Sequence, residues 1–238
     1  MNLSFNNVGS LLLLALAVIG TTVVGTGGTI SQAAWADVIE GTEGPDDIVG
    51  TPEDDIIDSK GGNDAIVGDI LEGGDASGDD IIFSDEGDDF NIGDTAGSEL
   101  GGEASGDDVI VSGEGDDENL GEVPFALFGN ATGDDVIVSG EGDDRNTGDV
   151  TFVFSGEASG DDVIVSGEGD DENYGDAVPG LGGGTGSGDD IIVSGEEDDT
   201  NTGNGGRDIF VCGGGEQDTV TDFNEEEGDI ATPDCENV

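Results

Sequence analysis

The chain contains no histidine, three cationic side chains and one tryptophan in 238 residues. Without histidine there is no HExxH zinc helix and no Ser-His-Asp triad. No Cys/His cluster exists either, which argues against structural zinc. Lys60, Arg145 and Arg207 are the only cations, set against 59 Asp and Glu, for a formal net charge of -56. That balance repels nucleic acid and anionic membrane surfaces and attracts cations. Aromatic residues make up 5%, too few for a large globular core. High net charge with modest apolar content is the composition of a chain that stays disordered by itself. There is no GxSxG elbow and no phosphate-binding P-loop.

Charge of either sign is missing altogether from residues 1–36. Within them LLLLALAVIG (11–20), extended by TTVV to Val24, is too short for a membrane span and suits the apolar core of a secretory signal. Ala34-Trp35-Ala36 is a small-x-small site just before Asp37. The reading is a signal peptide over 1–36, a secreted or cell-surface chain, and no membrane span in the mature protein. With export as context, the even pair Cys212 and Cys235 reads as one disulfide.

What the sequence has in excess is Gly, at 47 copies, and acids on a fixed beat. From Gly78, Gly106, Gly133, Gly160 and Gly188 the chain reads GDDIIFSDEGDDFNIGD, GDDVIVSGEGDDENLGE, GDDVIVSGEGDDRNTGD, GDDVIVSGEGDDENYGD and GDDIIVSGEEDDTNTGN. The origins are 27 or 28 residues apart and the DD pair recurs nine residues on inside each block. The beat is therefore nonapeptide, grouped in threes. GTEGPDDIV (41–49), GTPEDDIID (50–58) and SKGGNDAIV (59–67) run ungrouped before the blocks, and GNGGRDIFV (203–211) follows them. An acidic surface that serves only solubility would scatter its acids; here they are metrically placed. This divides the chain into 1–36 signal, 37–77 N-terminal nonapeptides, 78–204 five long repeats, and 205–238 a last repeat with a disulfide-linked cap.

Short β-branched runs such as Val-Ile-Val, bounded by Gly, Ser and Asp, predict very short strands joined by turns. Units this small bury little alone, and stacking them gives one narrow continuous core. Stacking also sets each carboxylate about 5 Å from its copy in the next coil, a repulsion of several kcal/mol at an effective dielectric near 20. A divalent cation between coils turns that repulsion into coordination. Oxygen-only ligands with Gly-turn carbonyls favour Ca²⁺ over Mg²⁺ and transition metals.

The pattern resembles the RTX (repeats-in-toxin) calcium-binding nonapeptide, G-G-x-G-x-D-x-U-x with U large and apolar. SKGGNDAIV and GNGGRDIFV carry its second half, and GTEGPDDIV carries it with Thr at the second Gly. The resemblance implies an all-β parallel β-roll or β-solenoid with multiple Ca²⁺ ions between turns and U residues pointing inward. The metal ligands it implies are the sixth-position aspartates: Asp46, Asp55, Asp64, Asp80, Asp89, Asp108, Asp117, Asp135, Asp144, Asp162, Asp171, Asp190, Asp199 and Asp208. DIFVCGGGEQDTVTDFNEEEGD (208–229) resembles the segment that closes many RTX arrays. The chain departs from the pattern at Asn91, Asn119, Asn146, Asn173 and Asn201, which occupy every second U position in the blocks. Two architectures fit. Each block supplies one 18-residue roll coil with its variable segment looped out, or three nonapeptides form one three-sided β-helix coil of 27–28 residues. The second stacks the five asparagines into an inward hydrogen-bonded ladder; the first is slightly favoured.

The functional expectation is a non-enzymatic, secreted calcium-binding array that folds on Ca²⁺ and serves as a cell-surface or extracellular structural or adhesive module, with itself or matrix components as partners. The alternatives are an extracellular calcium buffer or sensor, and a calcium-dependent polysaccharide-active β-helix, which the scarcity of substrate-binding cations disfavours. Asn130-Ala131-Thr132 is a glycosylation sequon. Phe125, Leu127, Phe128, Phe152 and Phe154 read as core, and Phe210, Val211 and Phe223 as cover for the open end of the stack.

Overall fold

Each Val-Ile-Val or Ile-Ile-Val triplet forms a three-residue strand whose central Ile is buried and whose flanking residues are more exposed, the period-two alternation of a one-sided strand. The computed structural model describes residues 22–24, 37–71, 76–96, 103–122, 130–149, 157–176, 185–215 and 217–238. The apolar run 11–20, Ala34-Trp35-Ala36 and Phe125, Leu127, Phe128, Phe152 and Phe154 lie outside these residues. No helix occurs among the described residues, so none is long and apolar enough to cross a membrane.

The strands stack into two long parallel sheets and a short two-stranded one, and the fold is a β-solenoid. The first sheet has ten strands. It begins with Thr22–Val24 on Val38–Glu40, runs through the Val-Ile-Val triplets, and ends with Ile209–Val211 on Ile230–Ala231. Part of the presumed leader thus pairs with the edge of this sheet, Thr22 opposite Val38. The second sheet has eight strands, from Asp47–Val49 to Thr219–Val220. Every pairing is in register with the repeat: Ile110 lies opposite Ile137 and Ile137 opposite Ile164, while Asn119 lies opposite Asn146 and Asn146 opposite Asn173.

The two coil sizes weighed from the sequence both occur, in different parts of the chain. At the ends Ile39 pairs with Ile57, Ile48 with Ile66 and Ile192 with Phe210, two-sided coils of 18 residues. In the middle a third, narrow side is added. Ala76, Ala104, Ala131 and Ala158 bridge in parallel, and Glu157–Ala158 pairs with Thr185–Gly186. All four alanines are completely buried. The residues just before each GDD motif therefore belong to the coil and are not looped out, which corrects the slightly favoured 18-residue reading for the central blocks.

Between the sheets one column is aliphatic and the other amide. Ile57, Ile82, Ile110, Ile137, Ile164, Ile192 and Phe210 line the inner face of the first sheet. On the second, Ile48 and Ile66 give way to Asn91, Asn119, Asn146, Asn173 and Asn201 before Val220 resumes the apolar pattern. The amides are affordable because they are paired. Nδ2 of Asn91, Asn119, Asn146 and Asn173 donates to Oδ1 of the next asparagine at 2.9–3.0 Å. The same nitrogens donate to Ser84, Ser112, Ser139 and Ser166 within their own coils at 3.0–3.1 Å. A buried polar group so partnered avoids the cost of desolvation. At the C-terminal end the Cys212–Cys235 disulfide is formed. Cys212 is buried beside Phe210, with Phe223 and Ala231 packed against the same cluster.

Candidate metal centre

The two aspartates of each DD pair do different work. The second is buried in every block; the first is exposed. The turn that precedes the first sheet sends the amide of Asp80 to Oδ1 of Asp108 at 2.7 Å, Asp108 to Asp135 at 2.8 Å and Asp135 to Asp162 at 2.8 Å. The row extends back through Asp55 to Asp37 and onward through Asp190 and Asp208 to Asp229. The turn that precedes the second sheet builds the equivalent row. It runs from Asp46 through Asp64, Asp89, Asp117, Asp144, Asp171 and Asp199 to Asp218, and ends on Glu236. All fourteen sixth-position aspartates therefore sit in two rows. The exposed first aspartates form rows of opposite sense: the amide of Asp134 donates back to Asp107 and that of Asp143 back to Asp116, at 3.2 and 3.1 Å.

One oxygen of each inward carboxylate is thus satisfied. The other is not. Oδ2 of Asp80, Asp108, Asp135, Asp162 and Asp190 in the first row is buried without a hydrogen-bond partner, as is Oδ2 of Asp64, Asp89, Asp117, Asp144, Asp171 and Asp199 in the second. At the N-terminal end the pattern differs, because the backbone amides of Thr42 and Thr51 reach Asp46 and Asp55 at 2.6 Å. The three cations offer no relief: Lys60 pairs with Glu40, Arg145 with Glu172 and Arg207 with Asp189, all at the surface.

A third set of acids was not singled out in the sequence reading. Asp69, Asp94, Glu122, Asp149 and Asp176, the last residue of each G-D or G-E dipeptide closing a repeat, are completely buried. The quoted blocks display the last four, ending GD, GE, GD and GD. Their glycines are also explained, since a Cβ on Gly93 or Gly121 would overlap Oδ2 of Asp108 or Asp135. These acids meet the first row and not the second. Asp69, Asp80 and Asp94 bring oxygens within 4.8 Å of one another, as do Asp108, Glu122 and Asp135, and Asp149, Asp162 and Asp176. Ionised carboxylates at that range repel by roughly 3 kcal/mol per pair at an effective dielectric of 20.

The electrostatic consequence is plain in the acidities. Burial, reinforced by neighbouring carboxylates, pushes Asp80 and Asp190 up to about 8 and Asp94 to about 7. It raises Asp108, Glu122, Asp135 and Asp162 well above the carboxylate range. In the second row burial raises Asp117, Asp144 and Asp171 only to about 6, because the amide of the preceding coil and the hydroxyls of Ser112, Ser139 and Ser166 favour the charged form. The donors at both corners are oxygens alone, a set that suits a hard divalent cation.

Four segments match the model of the RTX calcium-binding nonapeptide repeat, residues 36–66, 104–118, 131–149 and 158–177. These segments are RTX-type calcium-binding nonapeptide repeats. The two hydrogen-bonded rows continue beyond the matched segments, to Asp80, Asp89, Asp190, Asp199 and Asp208. A search of the curated proteins finds no match to the chain.

Proposed function

We propose that this is a secreted calcium-binding RTX protein whose array folds on Ca²⁺ and serves as an extracellular or cell-surface structural or adhesive module. The observation that carries the reading is the pair of buried aspartate rows in which, from Asp64 to Asp199, one oxygen of each carboxylate is committed to a backbone amide and the other has no partner. Asp64, Asp80, Asp89, Asp108, Asp117, Asp135, Asp144, Asp162, Asp171, Asp190 and Asp199 would hold the ions, with Asp46, Asp55 and Asp208 continuing the rows. A bound Ca²⁺ supplies the positive charge that no side chain of this chain brings to the interior.

Because ligands that exist only in the stacked form cannot bind before stacking, ion binding and folding are one equilibrium. A structural role is favoured over a buffer for the same reason: each ligand carboxylate uses its other oxygen in the hydrogen bonding that joins coil to coil. The direct test is a Ca²⁺ titration of the full chain followed by circular dichroism and calorimetry. Strand signal should appear with ion binding, at the roughly 0.1–1 mM affinity of extracellular modules. A chain already fully ordered in excess chelator would refute the coupling. Light scattering after size exclusion, with and without Ca²⁺, tests the adhesive part through self-association.

A further inference from the structure

The acids that close the repeats form a second kind of site. We propose that Asp69, Asp94, Glu122, Asp149 and Asp176, together with the first-row aspartates beside them, build an internal file of divalent-cation sites in which the repeat-closing acids, and not the carbonyls of the nonapeptide turns, complete the ligand set. The proposal rests on the reading of the array as calcium-binding and extends it to residues outside the repeat motif.

The five acids lie outside the six-residue turn, whose aspartate is already accounted for by the two rows. Their burial is complete, and both carboxylate oxygens of Asp94, Glu122, Asp149 and Asp176 lack a hydrogen-bond partner. In this same chain a buried polar column of purely structural purpose is built differently. The asparagines of the second sheet satisfy one another and their serines, leaving only the first Oδ1 of the ladder open. A carboxylate with two open oxygens, facing two more carboxylates within 4.8 Å, is a ligand set and a poor packing element.

The file also has definite ends. It begins at Asp69, immediately ahead of the first bridged alanine, Ala76, and runs through the three-sided coils. It stops at the last block, where Asn204 replaces the acid and the 18-residue step from Ile192 to Phe210 resumes. The third side and the acid file therefore come and go together. Three centres share no residue: two repeat-closing acids with Asp80, Glu122 with Asp108 and Asp135, and two repeat-closing acids with Asp162. In the central one the longer side chain of glutamate meets first-row aspartates from two successive coils. The second row has no counterpart, so the solenoid carries ions unequally on its two corners.

Equilibrium dialysis of the full chain against Ca²⁺, counting bound ions, tests this. The variant Asp94→Asn, Glu122→Gln, Asp176→Asn removes one ligand from each centre and should bind three fewer ions per chain while keeping its strand signal at saturating Ca²⁺. A folded variant with the wild-type ion count overturns the proposal. A wild-type chain that binds no Ca²⁺ overturns the calcium reading itself, which separates the two failures. If the triple variant does not fold, anomalous diffraction from wild-type crystals grown in Ca²⁺ decides. Peaks inside the three triads support the file, and peaks confined to the nonapeptide turns overturn it.

Discussion

Asn119 donates one amide hydrogen to Oδ1 of Asn146, one coil away, at 3.0 Å, and its other to Ser112 Oγ at 3.0 Å. The ladder this bond belongs to is all-or-nothing. Replacing Asn146 by Ile takes the acceptor from one amide hydrogen of Asn119 and the donor from the side-chain carbonyl of Asn173, and leaves the Ser139 oxygen without its Asn146 donor. An unsatisfied buried group costs about 1–3 kcal/mol, whereas removing all partners together is close to neutral. Asn146→Ile should therefore destabilise the calcium-loaded chain by about 2 kcal/mol or more. Replacing all five asparagines by Ile should cost less per site. Urea unfolding in Ca²⁺ compares the two.

At the fourth position of the turn, left-handed backbone falls on a side-chain-bearing residue in one block only. Gly115, Gly142 and Gly169 take φ of 138–143° at the fourth position of the turn, and the last block has Glu197 there at φ 83°. Left-handed backbone costs a side-chain-bearing residue roughly 1–2 kcal/mol. Glu197→Gly is expected to raise the unfolding free energy by about 1 kcal/mol. Gly142→Ala is expected to abolish the central stack, since its Cβ would also strike the Gly115 carbonyl. Thermal melts in Ca²⁺ give both signs.

Acid should stand in part for the metal. The buried aspartates have folded-state pKa values raised from 3.8 to about 6 at Asp117 and Asp144, about 7 at Asp94 and about 8 at Asp80 and Asp190. Over that window the folded chain holds more protons than the unfolded one, so stability falls as pH rises from about 4 to about 8. In chelator, strand content should be higher at about pH 5 than at about pH 8. A flat or rising profile would remove the carboxylate repulsion from the account of apo instability.

The disulfide should matter locally. Cys212 and Cys235 are 23 residues apart and the bridge pins the terminal coil to the Phe210 cluster. Closing a loop of that size contributes roughly 3 kcal/mol. Reduction should speed amide exchange in Ile209–Val211 and Thr219–Val220 and leave Val109–Val111 protected, because solenoid coils contact only their neighbours. Hydrogen exchange with and without reductant measures it.

Much of this architecture was legible because the sequence repeats its own geometry. Val-Ile-Val gave the strands, the DD beat gave the turns, and the sixth-position aspartates fell into two rows. The coil size was harder. Ala104, Ala131 and Ala158 look like linker residues, since a small apolar residue in a Gly/Ser-rich context carries no strand signal; only the stack reveals them as a side. The repeat-closing acids were hidden by a different fact. Asp94 and Glu122 look like two more surface charges in a chain with 59 acids, and their burial depends on a coil turning inward after Asn91 and Asn119.

The register of the middle blocks bears on the length of the molecule. Gly106 and Gly133 open units of 27 residues whose strands lie exactly one above the next. Excising residues 133–159 would join Thr132 to Gly160 and leave the same order of strand, turn, amide and acid on either side of the junction. Whole coils can therefore be added or removed without changing the pattern at either junction. Each such event would change its reach by one strand spacing, about 4.8 Å. The array is a ruler graduated in coils, capped at one end by Cys212 and Cys235.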